Sequence, residues 1–461
     1  MIRILNKYAL KILSGLCFGF LIMSLYACIG SEVIELPPRR TILFYIGSDT
    51  NGLDNGRAGD EPLDMINAIR AGWIPGRGEM LIYTDQTNRH PCLMRIKDTR
   101  AADGLYALDT VYVYSEENSA DAAVLNRVIK TVVNDYPADS YGMIFFSHAS
   151  GWLPQGMLAA PRSSDADRQN MDNRDTANLP VQGKLFAELN QDETDLRSLV
   201  IDRGEGVLFE MEYDDFAAAI PDGQFDFIIF EACFIADVIL MYELRNKTEY
   251  VLASSAEIVS PGFTPVYKNN IMRLYDTRNP VASVVAGFAQ SYIDHIKKSY
   301  PEDDVLCSAI LGLVKTSEMQ NLATTVKATL DGIMLDESTL TVDNIQRFDR
   351  PKYNRLNLIT SGQRRIRYSD FGHTMEHLAS DKLISGAHYA AFQTQMAKTI
   401  VWKANTKRFL LGNYTNGEPY FAEYDGFFIE HHSGLSTYIE QDVYPVINAA
   451  YKNSSWYKAI Y

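Results

Sequence analysis

Cysteine is too sparse in this chain to knit a fold together. Five are present in 461 residues, and Cys17 and Cys28 belong to an N-terminal apolar run, which leaves Cys92, Cys233 and Cys307. An odd, scattered set excludes a disulfide scaffold and leaves at least one thiol free. Positive charge is also in deficit: 43 Lys and Arg stand against 58 Asp and Glu, a net charge of -15. No basic face is concentrated anywhere, so a nucleic-acid partner is excluded, and the acidity suits a cationic substrate better. Internal repeats and low-complexity tracts are absent. What is present, 46% hydrophobic and 22% charged residues, is the balance of a globular protein with one large core or two ordinary ones.

The address is written first. Arg3, Lys7 and Lys11 precede the nearly uninterrupted apolar stretch Ile12 to Ala27, which closes on Leu25-Tyr26-Ala27-Cys28. A short secretory h-region with a small residue at its end is expected to be removed after export. Ending on Ala-Cys, it resembles a bacterial lipobox, although Tyr26 departs from the usual small residue. Residues 1–28 are therefore expected to be a signal peptide, with Cys28 lipidated. The mature chain would then be held on the membrane at the cell envelope, at the outer membrane or cell surface. Residues 29–40, with Pro37-Pro38-Arg39-Arg40, read as a tether.

Beyond the tether, short apolar runs alternate with helical patterns. Thr41 to Ile46, Glu79 to Tyr83, Val111 to Tyr114, Tyr141 to Phe146 and Phe225 to Phe230 read as buried strands. Asp64 to Ala71, Ala120 to Asn134 and Tyr213 to Ile220 read as helices, the second with Val124, Leu125, Val128, Ile129 and Val132 at helical spacing. Strands alternating with helices predict an α/β fold with a mainly parallel sheet flanked by helices. Residues 155–200 form a polar, apolar-poor stretch expected to be an exposed functional or processing loop. After about residue 300 the pattern blurs into helices and aromatic-rich strands, clearest at Phe421 to Ile429 and Ser436 to Ile439.

Two of the strands deliver reactive side chains. His148 follows Tyr141 to Phe146, and Cys233 follows Phe225 to Phe230. In open α/β sheets reactive groups gather beyond the carboxyl ends of strands. A thiol becomes a useful nucleophile once a neighbouring imidazole takes its proton or stabilises the thiolate. Taken singly, Cys233 reads as a small buried hydrophobe and His148 as a satisfied loop histidine. Taken together at two strand ends, they read as the apparatus of acyl transfer.

The order of strand, His, spacer, strand and Glu-Ala-Cys resembles the caspase-like cysteine peptidases, in detail the clostripain family. The resemblance rests on TILFYIGSDTNGLDN, YPADSYGMIFFSHASGW, DFIIFEACFIADVILMYELRNKTEYVLASSAEIVSPG and SGLSTYI, which span most of the mature chain. It implies a caspase-like domain over 41–300, with a C-terminal region, 301–461, extending the sheet or packed on it. It also implies a Cys233 nucleophile, a His148 partner, and cleavage of peptide bonds after Arg or Lys. The backbone N–H groups of residue 149 and Cys233 would form the oxyanion hole. The family usually has Gly where Ala149 stands. If that Gly serves for its backbone angle the enzyme is slow or inactive, and if it serves only as a donor little changes.

Glu231, two residues before the nucleophile, is a candidate carboxylate for a basic substrate side chain, or else a strand-end residue bonded to a backbone amide. Glu257, in SSAEIVSPG, is the second candidate. Arg162, Arg168, Arg174 and Lys184 are candidate self-cleavage points or plain solvated loop. No cofactor is required by this reading; calcium is compatible with the acidity and used by some relatives, yet no EF-hand loop is legible. Two rivals stand beside the peptidase: a binding-only surface lipoprotein of the same fold, and a zinc peptidase. The latter would use His373, Glu376 and His377, which read H-x-x-E-H. Adjacent His431 and His432 would point to opposite faces of a strand and could not serve one site together.

Overall fold

A computed structural model describes residues 39–47, 61–86, 89–115, 117–153, 198–204, 207–349, 367–412, 426–442 and 444–461. Strands β1 (Arg40–Gly47), β2 (Gly78–Asp85), β3 (Cys92–Arg100), β4 (Tyr106–Val113) and β5 (Ser140–Phe146) come first. They are followed by β6 (Ser198–Gly204), β7 (Val207–Glu212), β8 (Phe225–Glu231), β9 (Thr248–Ala253), β10 (Ile310–Lys315), β11 (Ser369–Asp370) and β12 (Ile400–Asn405). Nine of them form one sheet in the order β12-β10-β9-β8-β5-β1-β2-β3-β4. Its centre, β9-β8-β5-β1-β2, is parallel. Both margins are antiparallel: β2-β3-β4 on one side and β9-β10-β12 on the other.

The central strands are apolar on both faces because helices cover both. Leu43, Tyr45, Met143, Phe145, Ile228 and Phe230 point into one core, which α2 (Ala122–Asp135) closes with Val124, Leu125, Val128, Ile129 and Val132. Ile42, Phe44, Ile46, Ile144, Phe227 and Ile229 point into the other, beneath α1 (Glu61–Gly72), α5 (Thr264–Asn270) and α6 (Val281–Ser299). Between these, α3 (Tyr213–Ala219) and α4 (Val238–Glu243) pack on the first face. Further on, α7 (Met319–Leu330), α8 (Phe371–Ser380), α9 (Gly386–Thr399), α10 (Pro445–Asn453) and α11 (Ser455–Ile460) contribute to that same core. The C-terminal region therefore both extends the sheet, through β10 and β12, and packs upon it.

Three expectations change. Val111 to Tyr114 is part of an edge hairpin, β3-β4, antiparallel to β2. The mixed exposure of CLMRIKDTR hides β3 from a search for apolar runs. The tether ends earlier than residue 40, because Arg40 opens β1 and is buried. Its guanidinium donates to Ser140 Oγ at 2.6 Å, the Leu274 carbonyl at 2.7 Å and Asp226 Oδ2 at 2.9 Å, which is what permits an arginine there. Of the aromatic strands expected in the C-terminal region, Phe427–Phe428 forms β14, paired with β13 (Arg408–Phe409), residues 421–425 lying outside the described residues, and Ser436–Thr437 forms β15, paired with β11. Residues 1–38, with Cys28, lie outside the described residues, as do residues 154–197, with Arg162, Arg168, Arg174 and Lys184. Among the described residues no helix is long and apolar enough to cross a membrane.

Candidate active site

Strands β5 and β8 are parallel neighbours whose last paired residues are Phe146 and Glu231. His148 and Cys233 each lie two residues beyond that pair, so the register alone brings both to one end of the sheet. Both are half-buried among buried neighbours: Ser147 and Ala149 on one loop, Ala232 and Ile235 on the other. Cys233 is in no disulfide among the described residues, and its Sγ accepts the Ile258 N–H at 3.4 Å. A donor aimed at sulfur favours the thiolate.

The Cys loop is pinned from two sides. Phe234 N–H donates to the Ala256 carbonyl and Ala236 N–H to the Ser254 carbonyl, both at 2.9 Å, tying the loop to the segment after β9. Ser436 N–H donates to the Ala236 carbonyl at 2.8 Å, which brings in β15. Buried Asp237 then caps α4, accepting from the Ile239 and Leu240 N–H groups and from the Tyr213 hydroxyl. An Asp directly before the apolar run VILM is a helix-start signal that sequence inspection could have used.

The His loop is braced by the C-terminal region. Trp152 is buried against Tyr438 and Tyr451, with ring centroids 4.6 and 5.9 Å away, and its indole N–H donates to the Arg367 carbonyl. Gly151 carries a φ of 69°, and a Cβ there would meet the Phe234 carbonyl oxygen at 2.8 Å. Non-glycine residues with positive φ, among those described, are Phe234, Asp331, Lys382 and Leu410; Ala149 is not one of them. The left-handed position of the His loop thus falls on a glycine that the sequence retains, and Ala149 lies outside the positive-φ region that disfavours alanine. Gly151→Ala is expected to cost roughly 1–3 kcal/mol of stability and Ala149→Gly less than about 1 kcal/mol. Denaturant unfolding of the two variants would measure this, and equal losses would contradict the assignment of the strained position.

Glu231, at the strand end, is bonded to a backbone amide. Its carboxylate is buried on the second core face, where one oxygen accepts the Phe263 N–H and the other the Tyr267 hydroxyl, both at 2.5 Å. Burial raises its pKa to about 7, against the pull of those two hydrogen bonds, and Glu61 pushes in the same direction as burial. A Cβ on Gly262 would collide with the same carboxylate, so the loop wraps it at contact distance. Glu257 is instead half-buried, between Ala256, whose carbonyl holds Phe234, and Ile258, whose N–H reaches Cys233.

The H-x-x-E-H residues fall on α8, as a helix requires. A third partner also emerges: His373, Glu376 and His431 each offer an atom within 4.8 Å of the others. The rings of His373 and His431 stack at 3.5 Å, while the half-buried His432 ring lies edge-on to Phe348 with centroids 6.3 Å apart. His373 Nδ1, however, accepts the Gln346 N–H at 2.9 Å. That keeps the ring proton on Nε2 and leaves His373 no lone pair for a cation. Burial and the two neighbouring histidines lower the pKa of His373 to about 4, so the His373 ring is neutral.

The model of the clostripain family matches residues 57–180 and 187–420. No curated protein matches the sequence. Among solved structures, an inactive zymogen C11 protease from Parabacteroides distasonis is similar with a TM-score of 0.64 and 24% identity, over 93% of this chain and 100% of that one. A secreted C11 cysteine protease from Bacteroides thetaiotaomicron, in complex with an irreversible peptide inhibitor, gives a TM-score of 0.66 and 22% identity, over 91% and 98%. These likenesses fix the fold as that of the C11 proteases, caspase-like. With the family model covering both loops described above, the chain belongs to the clostripain family and is a cysteine peptidase.

Proposed function

We propose that the protein is an endopeptidase cleaving after Arg or Lys through a Cys233–His148 dyad, held on the cell envelope by a lipid on Cys28. The observation that carries the dyad is the parallel register of β5 and β8, with its two side chains equally far beyond the last paired residues. In this reading the Cys233 thiolate attacks the scissile carbonyl carbon. The C–S bond forms while the carbonyl electrons move to oxygen, and the oxyanion meets the Ala149 and Cys233 N–H groups. Collapse expels the amine, which takes its proton from the His148 imidazolium and leaves a thioester. Water, deprotonated by His148, then releases the acid and restores the thiol. No step passes through calcium or zinc.

Glu257 is the carboxylate we assign to the basic substrate side chain. It is half-buried beside the segment that touches Cys233, whereas Glu231 is buried on the second core face. A charge-assisted contact of about 1.5–3 kcal/mol corresponds to a loss of roughly 10- to 150-fold in kcat/KM on Glu257→Gln. The test compares Arg, Lys and neutral-residue reporter peptides in wild type and variant. An unchanged preference for basic residues would remove Glu257 from the pocket. No turnover of any basic reporter by folded wild type would remove the specificity altogether.

A further inference from the structure

We infer that Tyr368, contributed by the C-terminal region, is a positioning residue that sets the separation of the His148 and Cys233 loops by holding both at once. Its ring stacks on that of Phe234, the residue after Cys233, with centroids 4.4 Å and planes 15° apart. Its hydroxyl donates to the Ser150 carbonyl, two residues after His148. Between these contacts, Gly151 passes so close that a Cβ would meet the ring at 2.9 Å.

Phe234 needs such a partner. It holds a φ of 60°, a conformation that bulky residues adopt only where their surroundings impose it. The Phe234 N–H bond to the Ala256 carbonyl fixes its backbone, and the Tyr368 ring fixes its side chain. Tyr368 is itself well anchored. It is buried, its carbonyl accepts the Phe348 N–H at 2.9 Å, and it leads directly into β11, which pairs with β15 beside Ala236. Burial, above all, raises its hydroxyl pKa well beyond the ordinary range, so it stays protonated and remains a donor. The geometry has a catalytic consequence, because thiolate and imidazole must lie within hydrogen-bond reach and a misplacement of about 1 Å can cost on the order of 10²-fold.

The inference rests on the peptidase reading, and the experiment separates the two. Tyr368→Phe keeps the stack and loses the Ser150 link; Tyr368→Leu loses both. Expected are kcat losses on the order of 10-fold and 10²-fold, with KM within about twofold and melting showing folded protein. The second readout is the pH dependence of Cys233 alkylation by iodoacetamide, resolved by mass spectrometry from Cys92 and Cys307. In wild type its midpoint should lie below the ordinary thiol value of about 8.5, and in Tyr368→Leu it should move up toward it. Wild-type kcat and midpoint in both variants, or a kcat loss that only follows the unfolded fraction, overturns the inference alone. A wild type with an ordinary midpoint and no turnover sinks the peptidase reading and this inference with it.

Discussion

Cys233→Ala is expected to remove peptidase activity to background, on the order of 10⁴-fold or more in kcat, and to abolish labelling by an acyloxymethyl ketone. His148→Ala should lose about 10²–10⁴-fold, the share that general acid–base catalysis supplies. Neither change should unfold the protein, since both side chains are half-buried and terminate strands whose cores are complete without them. A metal chelator should leave the wild-type rate unaltered. The rivals differ on every arm: a zinc peptidase would survive Cys233→Ala and lose activity with chelator, and a binding-only protein would show no labelling. Activity that persists in Cys233→Ala would end the cysteine mechanism.

Glu231 supplies the second large effect, on stability. Glu231→Ala would strip acceptors from the Phe263 N–H and the Tyr267 hydroxyl and open a cavity, costing about 2–5 kcal/mol. Its ionisation gives a signed pH dependence. The folded pKa of about 7 lies above the 4.5 of an ordinary glutamate, so the folded state binds a proton more tightly than the unfolded state. The contribution is complete below about pH 4.5 and is lost as pH rises through 7. The whole window amounts to about 3 kcal/mol. Glu231→Gln, neutral throughout and of nearly the same shape, should remove that slope while retaining the preference for basic residues. Denaturant midpoints of wild type and variant at pH 5 and 8.5 would measure it. A parallel pH dependence in the two proteins would refute the buried role, and lost Arg and Lys turnover in Glu231→Gln would return this carboxylate to the substrate pocket.

Much of the fold was legible because its signals are local. Every strand of the parallel centre from β1 to β8 is a continuous apolar run, buried on both faces, and α2 shows its apolar stripe at helical spacing. The edge hairpin was not so legible, since β3 and β4 are half-exposed and alternate irregularly. Arg40 misled for a related reason: a charged residue reads as surface until Ser140, Leu274 and Asp226 are seen to surround it.

Along the chain alone, Cys233 and His148 could be placed after apolar strands, and the alternation of strands and helices and the family could be read. Strand-end placement and flanking motifs are properties of neighbours along the chain. Long-range packing, by contrast, set which residues of the two loops take positive φ, Gly151 and Phe234 and not Ala149. The same is true of Glu231, which the structure buries against Phe263 and Tyr267, and of Tyr368, which it seats against the Cys loop and joins to the His loop. These are contacts between segments distant in sequence. A carboxylate's protonation, a loop's angle and the spacing of two side chains depend on what packs against them, and no local pattern records that.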